Sequence, residues 1–185
     1  MTIQITAPVA AADVSTLATM TETVEESFIR AFRNHPGGVV VITGTTPDGQ
    51  PVGFTATSLA SLSAYPPRAT FNIAQTASSW PAVAEGALLA VHFLAKESQG
   101  LAQRFAGTTS ERFSGDHWYV NELGLPILRD AIGVLVTRVN RQISIDLNAL
   151  IVLDIEEGRF SENHEPLLYH KRAFGTVAGP PEYVI

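Results

Sequence analysis

The sequence contains no cysteine, only two lysines and few charged residues of either sign. Of its 185 residues, 16% are charged and 45% are hydrophobic, and the net charge is −6. The lack of cysteine excludes disulfides, thiolate metal sites and thiol nucleophiles. The scarcity of lysine, together with the acidic balance, argues against binding to nucleic acid or to an anionic membrane surface.

Long apolar runs and nucleotide-binding signatures are also missing. No run is long enough to span a bilayer and no basic segment leads into an apolar one, so we expect a cytoplasmic protein. The absence of G-x-G-x-x-G after a strand and of G-x-x-x-x-G-K-[ST] leaves a Rossmann dehydrogenase and a P-loop enzyme unsupported. The five histidines show no spacing typical of zinc, and no G-x-S-x-G elbow supports a serine hydrolase. We therefore predict no metal site.

What is present is mostly strand-like sequence punctuated by turn residues. Thr23 and Glu26 form a capping box before a helix that ends near His35. Pro47-Asp48-Gly49 is a turn that joins the β-branched segment Val39–Thr45 to a returning strand, Pro51–Thr57, in a hairpin. Further strands are predicted at Ala69–Ala74, Leu88–Leu94, Ala131–Asn140, Gln142–Ile155 and Arg159–Ser161, with Gly158 as a turn, and helices at Ser79–Glu85 and Ser98–Ala106. This pattern favours a mainly β domain, an antiparallel barrel with a few peripheral helices, over residues 21–185, after a mobile arm at residues 1–20.

The segment Thr108–Pro126 is predicted as a long irregular loop, and it carries Trp118 and Tyr119. Loops of this length that bear aromatic side chains are more often functional or interfacial than idle. From Glu165 onward we expect a partly ordered strand and an extended end.

The stretch Gly53–Trp80 is almost free of charge and rich in hydroxyl groups. Its hydroxyl-bearing residues are Thr55, Thr57, Ser58, Ser61, Ser63, Thr76, Ser78 and Ser79. Hydroxyls and the backbone N–H groups beside them can surround the phosphate, ribityl chain or polar ring edge of a cofactor. Serine and threonine also favour turns and caps, so turn chemistry is the alternative explanation.

Two polar residues, Asp146 and Asn148, interrupt the apolar segment ISIDLNALIVLDI. If the segment is one strand, its period of two places Asp146, Asn148 and Leu150 on the same face. This face would line a cavity or a subunit interface, or it would be a solvated edge.

Several of these segments, in this order, resemble the flavin reductase-like domain family of FMN-binding split barrels. The most specific match is Gly53–Pro67, GFTATSLASLSAYPP, with a G-x-T-x-x-S core followed by paired prolines. Similar segments are Phe32–Gly44 (FRNHPGGVVVITG), Thr76–Trp80, Leu101–Ala106 (LAQRFA) and Pro166–Tyr169 (PLLY) with His170 after it. The resemblance covers roughly Glu25–Val177.

The resemblance implies a six-stranded antiparallel Greek-key split barrel that forms a homodimer with FMN sites at the subunit interface. The residues it places around the isoalloxazine edge and ribityl chain are Thr55, Ala56, Thr57, Ser58 and Leu59, with Ser61 and Ser63 close behind. Thr76, Ser78 and Ser79 would face the phosphate at the start of a short helix, and Phe105 would contact the ring. The implied activity is hydride transfer from NAD(P)H to FMN, with FAD as a possible replacement, to supply reduced flavin to a partner monooxygenase.

One departure concerns the nicotinamide side. Family members that use NADH often carry G-D-H where this chain has Asp146-Leu147-Asn148. Asparagine can hydrogen-bond a nicotinamide amide but cannot be protonated as histidine can. Asn148 and His170 are therefore candidates only for the nicotinamide side. A flavin- or haem-binding barrel without reductase turnover, or a purely structural dimeric barrel, remains an alternative.

Overall fold

The structure, a computed structural model, describes residues 23–161 and 164–177, so the predicted arm and the last eight residues lie outside the described chain. The described chain forms helices α1 (Val24–Asn34) and α2 (Gln99–Ala106), and 3₁₀ helices at Trp80–Val83, Lys96–Ser98 and Thr109–Glu111. The strands are β1 (Gly37–Gly38), β2 (Val40–Thr45), β3 (Pro51–Ala56), β4 (Ala60–Ala64), β5 (Pro67–Ala74), β6 (Leu88–Leu94), β7 (Trp118–Val120), β8 (Pro126–Leu128), β9 (Ala131–Ile145), β10 (Asn148–Phe160), β11 (Leu168–His170) and β12 (Ala173–Gly175). The mainly β class is confirmed. None of the helices in this part of the chain is long and apolar enough to cross a membrane.

The main sheet has seven antiparallel strands in the order β3-β2-β6-β9-β10-β5-β4, so the expected count of six is wrong. The additional edge strand is β4, whose sequence ASLSA lacks the β-branched residues that signal a strand. It pairs with β5 through a tight turn at Tyr65-Pro66. Pro67 is tolerated as the first residue of β5 because a proline there removes no ladder hydrogen bond from the strand interior.

The main sheet curls so that strands near its two ends share one core. Phe54 of β3 lies at one end and Phe71 of β5 near the other, yet their ring centroids are only 5.8 Å apart. The inward-facing residues of β2, β6 and β10 complete this core, and among them Ile42 and Ile151 are fully buried. The curled inner surface agrees with the predicted barrel-like arrangement.

The two longest strands, β9 and β10, form one hairpin whose turn was placed wrongly by the sequence pattern. The chain reverses at Asp146-Leu147, so Gln142–Ile155 is not a continuous strand and Asp146 does not share a strand face with Asn148. Asp146 adopts φ 51°, a left-handed conformation that aspartate tolerates better than most residues. Gly158 is not a turn residue, since it pairs with Leu135 inside β10. A Cβ there would lie 2.7 Å from the Leu135 side chain, which explains the glycine.

A second core lies behind the sheet, where α2 packs near β2, β8 and the small sheet β1-β11-β12. The predicted irregular loop is wrong in part, because Trp118–Val120 pairs with β8 as β7. His92 on β6 is fully buried beneath this hairpin. Its Nδ1 donates to the Val41 carbonyl at 3.1 Å, and its Nε2 accepts from the Leu128 N–H at 3.1 Å. The ring therefore joins β8 to the main sheet.

Helix α1 begins with the predicted capping box, which is confirmed in both directions between Thr23 and Glu26. None of its residues is buried. Its large apolar side chains are Val24, Phe28, Ile29 and Phe32, each more than half exposed.

Candidate ligand-binding cleft

An open cleft of about 420 Å³ lies where the ends of β3 and β5 approach each other. This volume falls within the usual range for small-ligand sites, roughly 300–1,000 Å³. The lining comprises Phe54, Thr55, Ala56, Thr57 and Ser58 from β3 and its end, Asn72, Ile73 and Ala74 from β5, the following turn residues Ala77, Ser78 and Ser79, and Arg112. Within the part of the chain that the structure describes, no aspartate or glutamate lines it.

Ser58 fixes the distance between the two walls, since β3 and β5 are not paired with each other. Its Oγ accepts a hydrogen bond from the Asn72 N–H at 3.0 Å and lies 3.4 Å from the Asn72 carbonyl oxygen, to which it donates. A short polar side chain that bonds both backbone groups of a neighbouring strand replaces a missing sheet contact. The two hydroxyl-rich segments of the sequence thereby face each other.

Six of the predicted residues lie in this cleft: Thr55, Ala56, Thr57, Ser58, Ser78 and Ser79. Leu59 instead packs against the main core, and Thr76 is exposed in the turn after β5. Ser61 and Ser63 lie on the edge strand β4, where Ser63 Oγ accepts from the Tyr65 N–H at 3.2 Å. These four residues are outside the cleft lining.

Phe105 forms part of the wall behind the cleft rather than its surface. Its ring is fully buried and lies edge-on to Phe113, with centroids 5.2 Å apart. A Cβ on Gly53 would come within 2.8 Å of the ring, so the glycine lets β3 lie directly against it. A cofactor contact needs an exposed ring face, and Phe105 has none in this chain. Phe105 therefore supports β3 from behind the cleft and does not make the predicted contact with the flavin ring.

The helix predicted at Ser79–Glu85 is a 3₁₀ helix of four residues, Trp80–Val83. Ser79 precedes it, but its side chain makes no capping bond. The chain turns at Gly86, where φ is 85°, so the helix cannot extend further. A helix dipole builds up only over a regular helix, and the argument that placed a phosphate at its start no longer holds.

The threonine hydroxyls of the first segment differ in what they bond. Thr55 Oγ1 donates to the Ala102 carbonyl at 2.6 Å and anchors α2 against β3. Thr57 Oγ1 has no hydrogen-bond partner within the described ranges and is exposed at the cleft. Ser78 Oγ lies 3.5 Å from Thr109 Oγ1. The second wall of the cleft is therefore linked to the loop that carries Arg112.

Arg112 is the cleft residue that the sequence patterns missed. Its Nη1 donates to the Gly53 carbonyl at 2.8 Å, and its Nε and Nη2 donate to the Gly107 carbonyl at 3.2 and 2.9 Å. Burial lowers the pKa of its guanidinium below the usual range. The only signal in the sequence is that Arg112 is the one arginine in the aromatic-bearing loop Thr108–Pro126.

A second hollow of about 390 Å³ adjoins the cleft through Thr55 and Thr57. Its other lining residues are Gln103, Ala106, Gly107, Tyr169 and Phe174. The rings of Tyr169 and Phe174 meet edge-on with centroids 5.2 Å apart.

The two nicotinamide-side candidates lie outside both hollows. His170 follows Tyr169 on β11 and is exposed. Asn148 is exposed at the start of β10, where its carbonyl accepts from Gln75 Nε2 at 2.9 Å. The structure therefore does not bring Asn148 and His170 into the cleft with the hydroxyl segments.

A curled antiparallel sheet with an open cleft, lined by neutral donors, apolar side chains and one arginine, defines a small-molecule-binding β protein. The chain belongs to the flavin reductase like domain family, which matches residues 32–178.

Relatives of known name place the chain within this family. It is 38% identical over 146 residues to an NADH:FMN oxidoreductase of Rhodococcus qingshengii, covering 76% of each chain. It is 39% identical over 107 residues to the reductase subunit of a flavin-dependent monooxygenase of Rhodococcus jostii, covering 56% of this chain and 54% of that one. A flavin reductase domain protein from Arthrobacter sp. FB24 superimposes with a TM-score of 0.79 at 45% identity, over 87% of this chain and 99% of that one.

Proposed function

We propose that this protein is an NAD(P)H-dependent flavin reductase that holds FMN in the cleft between β3 and β5. The observation that carries the proposal is the meeting of the two hydroxyl segments and Arg112 around one cleft. The similarity to an NADH:FMN oxidoreductase over three quarters of the chain supports it.

The donor set of the cleft fits a flavin mononucleotide. Apolar groups on Ala56, Ile73 and Ala77 suit the face of an aromatic ring. The Thr57 hydroxyl, which has no hydrogen-bond partner among the described residues, suits a polar ring edge or a ribityl hydroxyl. Ser78 and Ser79, together with Arg112, offer donors to a phosphate.

Bound flavin would supply the redox chemistry by accepting hydride from a nicotinamide, and the chain's own residues would bind and orient both partners. We place the nicotinamide beside the hollow that shares Thr55 and Thr57 with the cleft. Tyr169 and Phe174 give this hollow an aromatic surface on which a flat ring can pack. Asn148 and His170 remain our candidates for polar contacts on that side.

The exposed apolar surface supports a homodimer. The face of α1 carries Phe28 and Phe32 at 60% and 62% exposure, and the β9–β10 hairpin carries Ile145 and Leu147 at 58% and 72%. Monomeric proteins rarely leave such patches in water. Sedimentation equilibrium should give twice the chain mass, whereas a monomer at all concentrations would reject the dimer.

A partner monooxygenase would use the reduced flavin. A relative described as the reductase subunit of such an enzyme supports this assignment. Use of FAD in place of FMN and a cytoplasmic location remain part of the proposal.

Anaerobic mixing with each nicotinamide tests the proposed reaction. The FMN-loaded protein should lose the visible absorption band of oxidised flavin on addition of NADH or NADPH, faster than free FMN does at equal concentration. Binding of FMN without acceleration by either nicotinamide would overturn the reductase activity and favour a flavin-binding module. The same experiment with FAD compares the two flavins directly.

A further inference from the structure

The stretch of chain that forms the second wall of the cleft is fastened at both ends to one other element. Residues 75–85, the wall segment, run from the end of β5 past the 3₁₀ helix, and they include Ala77, Ser78 and Ser79 of the cleft lining. Ser78 makes a 3.5 Å contact with Thr109. The other hydrogen bonds from the wall segment to separate elements of the described chain all go to the β9–β10 hairpin.

Gln75 fastens the start of the wall segment. Its backbone N–H donates to the Leu147 carbonyl at 2.9 Å, and its Nε2 donates to the Asn148 carbonyl at 2.9 Å and the Asp146 carbonyl at 3.2 Å. One residue therefore binds three consecutive carbonyls at the hairpin turn. Asp146 has a φ of 51°, and a strained residue of this kind persists only where its surroundings hold it.

Gln142 fastens the other end of the wall segment. Its Nε2 donates to the Val83 carbonyl at 2.7 Å, and its backbone N–H donates to Glu85 Oε1 at 3.1 Å. Trp80 and Val83 also pack in the main core, but apolar contacts have no preferred direction. The hydrogen bonds of the two glutamines therefore fix where the wall segment lies.

The amide of Gln75 is committed to the hairpin and is not a ligand group. Both donors of its Nε2 are used on carbonyls, and the residue lines neither the cleft nor the adjoining hollow. Residues 143–148 of the hairpin are all exposed. Within the described chain, no side chain other than that of Gln75 hydrogen-bonds to these residues, so this amide is the main polar link between the hairpin turn and the wall segment.

We propose that Gln75 is a positioning residue for the flavin site, because its amide holds the wall segment where Ala77, Ser78 and Ser79 can contact the flavin. Gln75 does not touch the flavin itself and acts through these three residues. This role rests on the proposed function, since it requires flavin in the cleft.

Equilibrium titration of the full chain with FMN and with riboflavin, at pH 7 and at pH 5, tests this role through flavin fluorescence. Gln75→Glu keeps the shape of the side chain but sets a carboxylate against two carbonyls at pH 7. Carbonyl acceptors favour the protonated carboxyl and raise its pKa above the ordinary value of about 4.3. Lowering the pH to 5 therefore restores one donor to this variant.

Two further variants serve as controls. Gln75→Ala removes the amide without adding a titratable group, so it reports how Asp146 and all other groups respond to pH. Gln50→Glu adds the same charge between β2 and β3, outside both hollows, at an exposed side chain that makes no hydrogen bond in the described chain. Thermal unfolding shows which variants are folded, and Gln75→Ala decides the matter if Gln75→Glu does not fold.

Gln75→Glu should weaken binding of both flavins about 5- to 10-fold at pH 7, the effect of one or two hydrogen bonds. Relative to the wild type at the same pH, this weakening should shrink to about twofold at pH 5, because the protonated carboxyl donates again. Gln75→Ala should weaken both flavins about threefold at either pH. Gln50→Glu should bind both as the wild type does.

The outcomes separate this role from the proposed function. If both Gln75 variants bind the two flavins as the wild type does, the positioning role is overturned while flavin binding stands. If Gln75→Glu weakens FMN alone, its charge repels the phosphate and the wall has not moved, which also overturns the role. If the wild type binds neither flavin, the proposed function fails and this role fails with it. Weakening of both flavins that lessens at pH 5 only in Gln75→Glu supports it.

Discussion

His92 and Arg112 are two nitrogen-bearing side chains, one fully buried and one half-buried, and they differ in which of their hydrogen-bonding groups remain without a partner. Both ring nitrogens of His92 are hydrogen-bonded, and desolvation lowers its pKa to about 4, so it is neutral at pH 7. Arg112 keeps its charge, spare N–H groups and no carboxylate partner among the described residues. A satisfied buried group holds the fold together, whereas a charged group with spare donors in a cleft indicates a ligand site.

Replacing His92 should have the largest effect on stability. His92→Ala removes both hydrogen bonds, leaves the Val41 carbonyl and Leu128 N–H unpaired, and opens a cavity. We expect the free energy of unfolding in urea to fall by about 2–4 kcal/mol. The FMN affinity of the folded fraction should not change, because His92 lies outside the cleft. A loss of FMN affinity without a loss of stability would mean that His92 acts in flavin binding and not in holding the fold together.

The pH dependence of stability should follow from the same ring. The pKa of His92 is about 4 in the folded protein and near 6.5 when unfolded, so the unfolded state binds more protons between these values. The His92 contribution is therefore complete above pH 6.5 and is lost as the pH falls through 4. Protonation of His92 in the unfolded state should therefore make the free energy of unfolding about 2 kcal/mol lower at pH 5 than at pH 7.

Urea unfolding of wild type and His92→Gln at both pH values isolates this contribution, since glutamine does not titrate. The pH-dependent loss should be smaller in the variant. An equal loss in the two proteins would assign the titration to other groups.

Local chemistry in the sequence predicts the elements whose causes are local. The capping box at Thr23 and Glu26 and the hairpin turn at Pro47–Gly49 depend on neighbouring residues, and both are confirmed. Gly158 was misassigned because its reason for being glycine is the side chain of Leu135, which is distant in sequence.

Some residues of the candidate site could be predicted from the sequence, whereas others depend on contacts that only the fold determines. Residues 55–58 and 78–79 were identified from composition and from a family resemblance, and they meet in one cleft. Phe105 falls at the expected place in sequence but behind the wall, since the pattern of a helix face does not tell which core it enters. Arg112 depends on carbonyls of Gly53 and Gly107, whose positions only the fold determines.

Thr55 and Thr57 allow the same comparison between a hydrogen-bonded group and an unpaired one among the described residues, with smaller expected effects. Thr55→Val removes the hydrogen bond to the Ala102 carbonyl and should lower stability by about 1 kcal/mol. Thr57→Val removes a hydroxyl with no partner in the described chain, so stability should hold while FMN binding weakens about fivefold. Thermal unfolding and FMN titration of both variants check this. If Thr55→Val instead weakened FMN binding and Thr57→Val instead lowered stability, the Thr55 hydroxyl would serve the ligand and the Thr57 hydroxyl would serve the fold.

The smallest effect is expected at a paired, exposed arginine. Arg138 Nη2 donates to Glu156 Oε2 at 3.1 Å, and its Nη1 donates to the Gly86 carbonyl at 3.0 Å. Arg138→Ala should lower the free energy of unfolding by about 1 kcal/mol or less and leave FMN affinity unchanged. A change in FMN affinity as large as that of Arg112→Ala would remove the distinction between paired and unpaired arginines.

A crystal structure of the protein with FMN would show directly whether flavin binds in the cleft. We expect the flavin between β3 and β5, with a phosphate oxygen within hydrogen-bonding distance of the Arg112 guanidinium and of Ser78 or Ser79. The hollow beside the start of α2, lined in part by Arg104 and Arg129, offers the phosphate another cationic environment. A phosphate found there, with the cleft empty, would overturn the placement of FMN between β3 and β5.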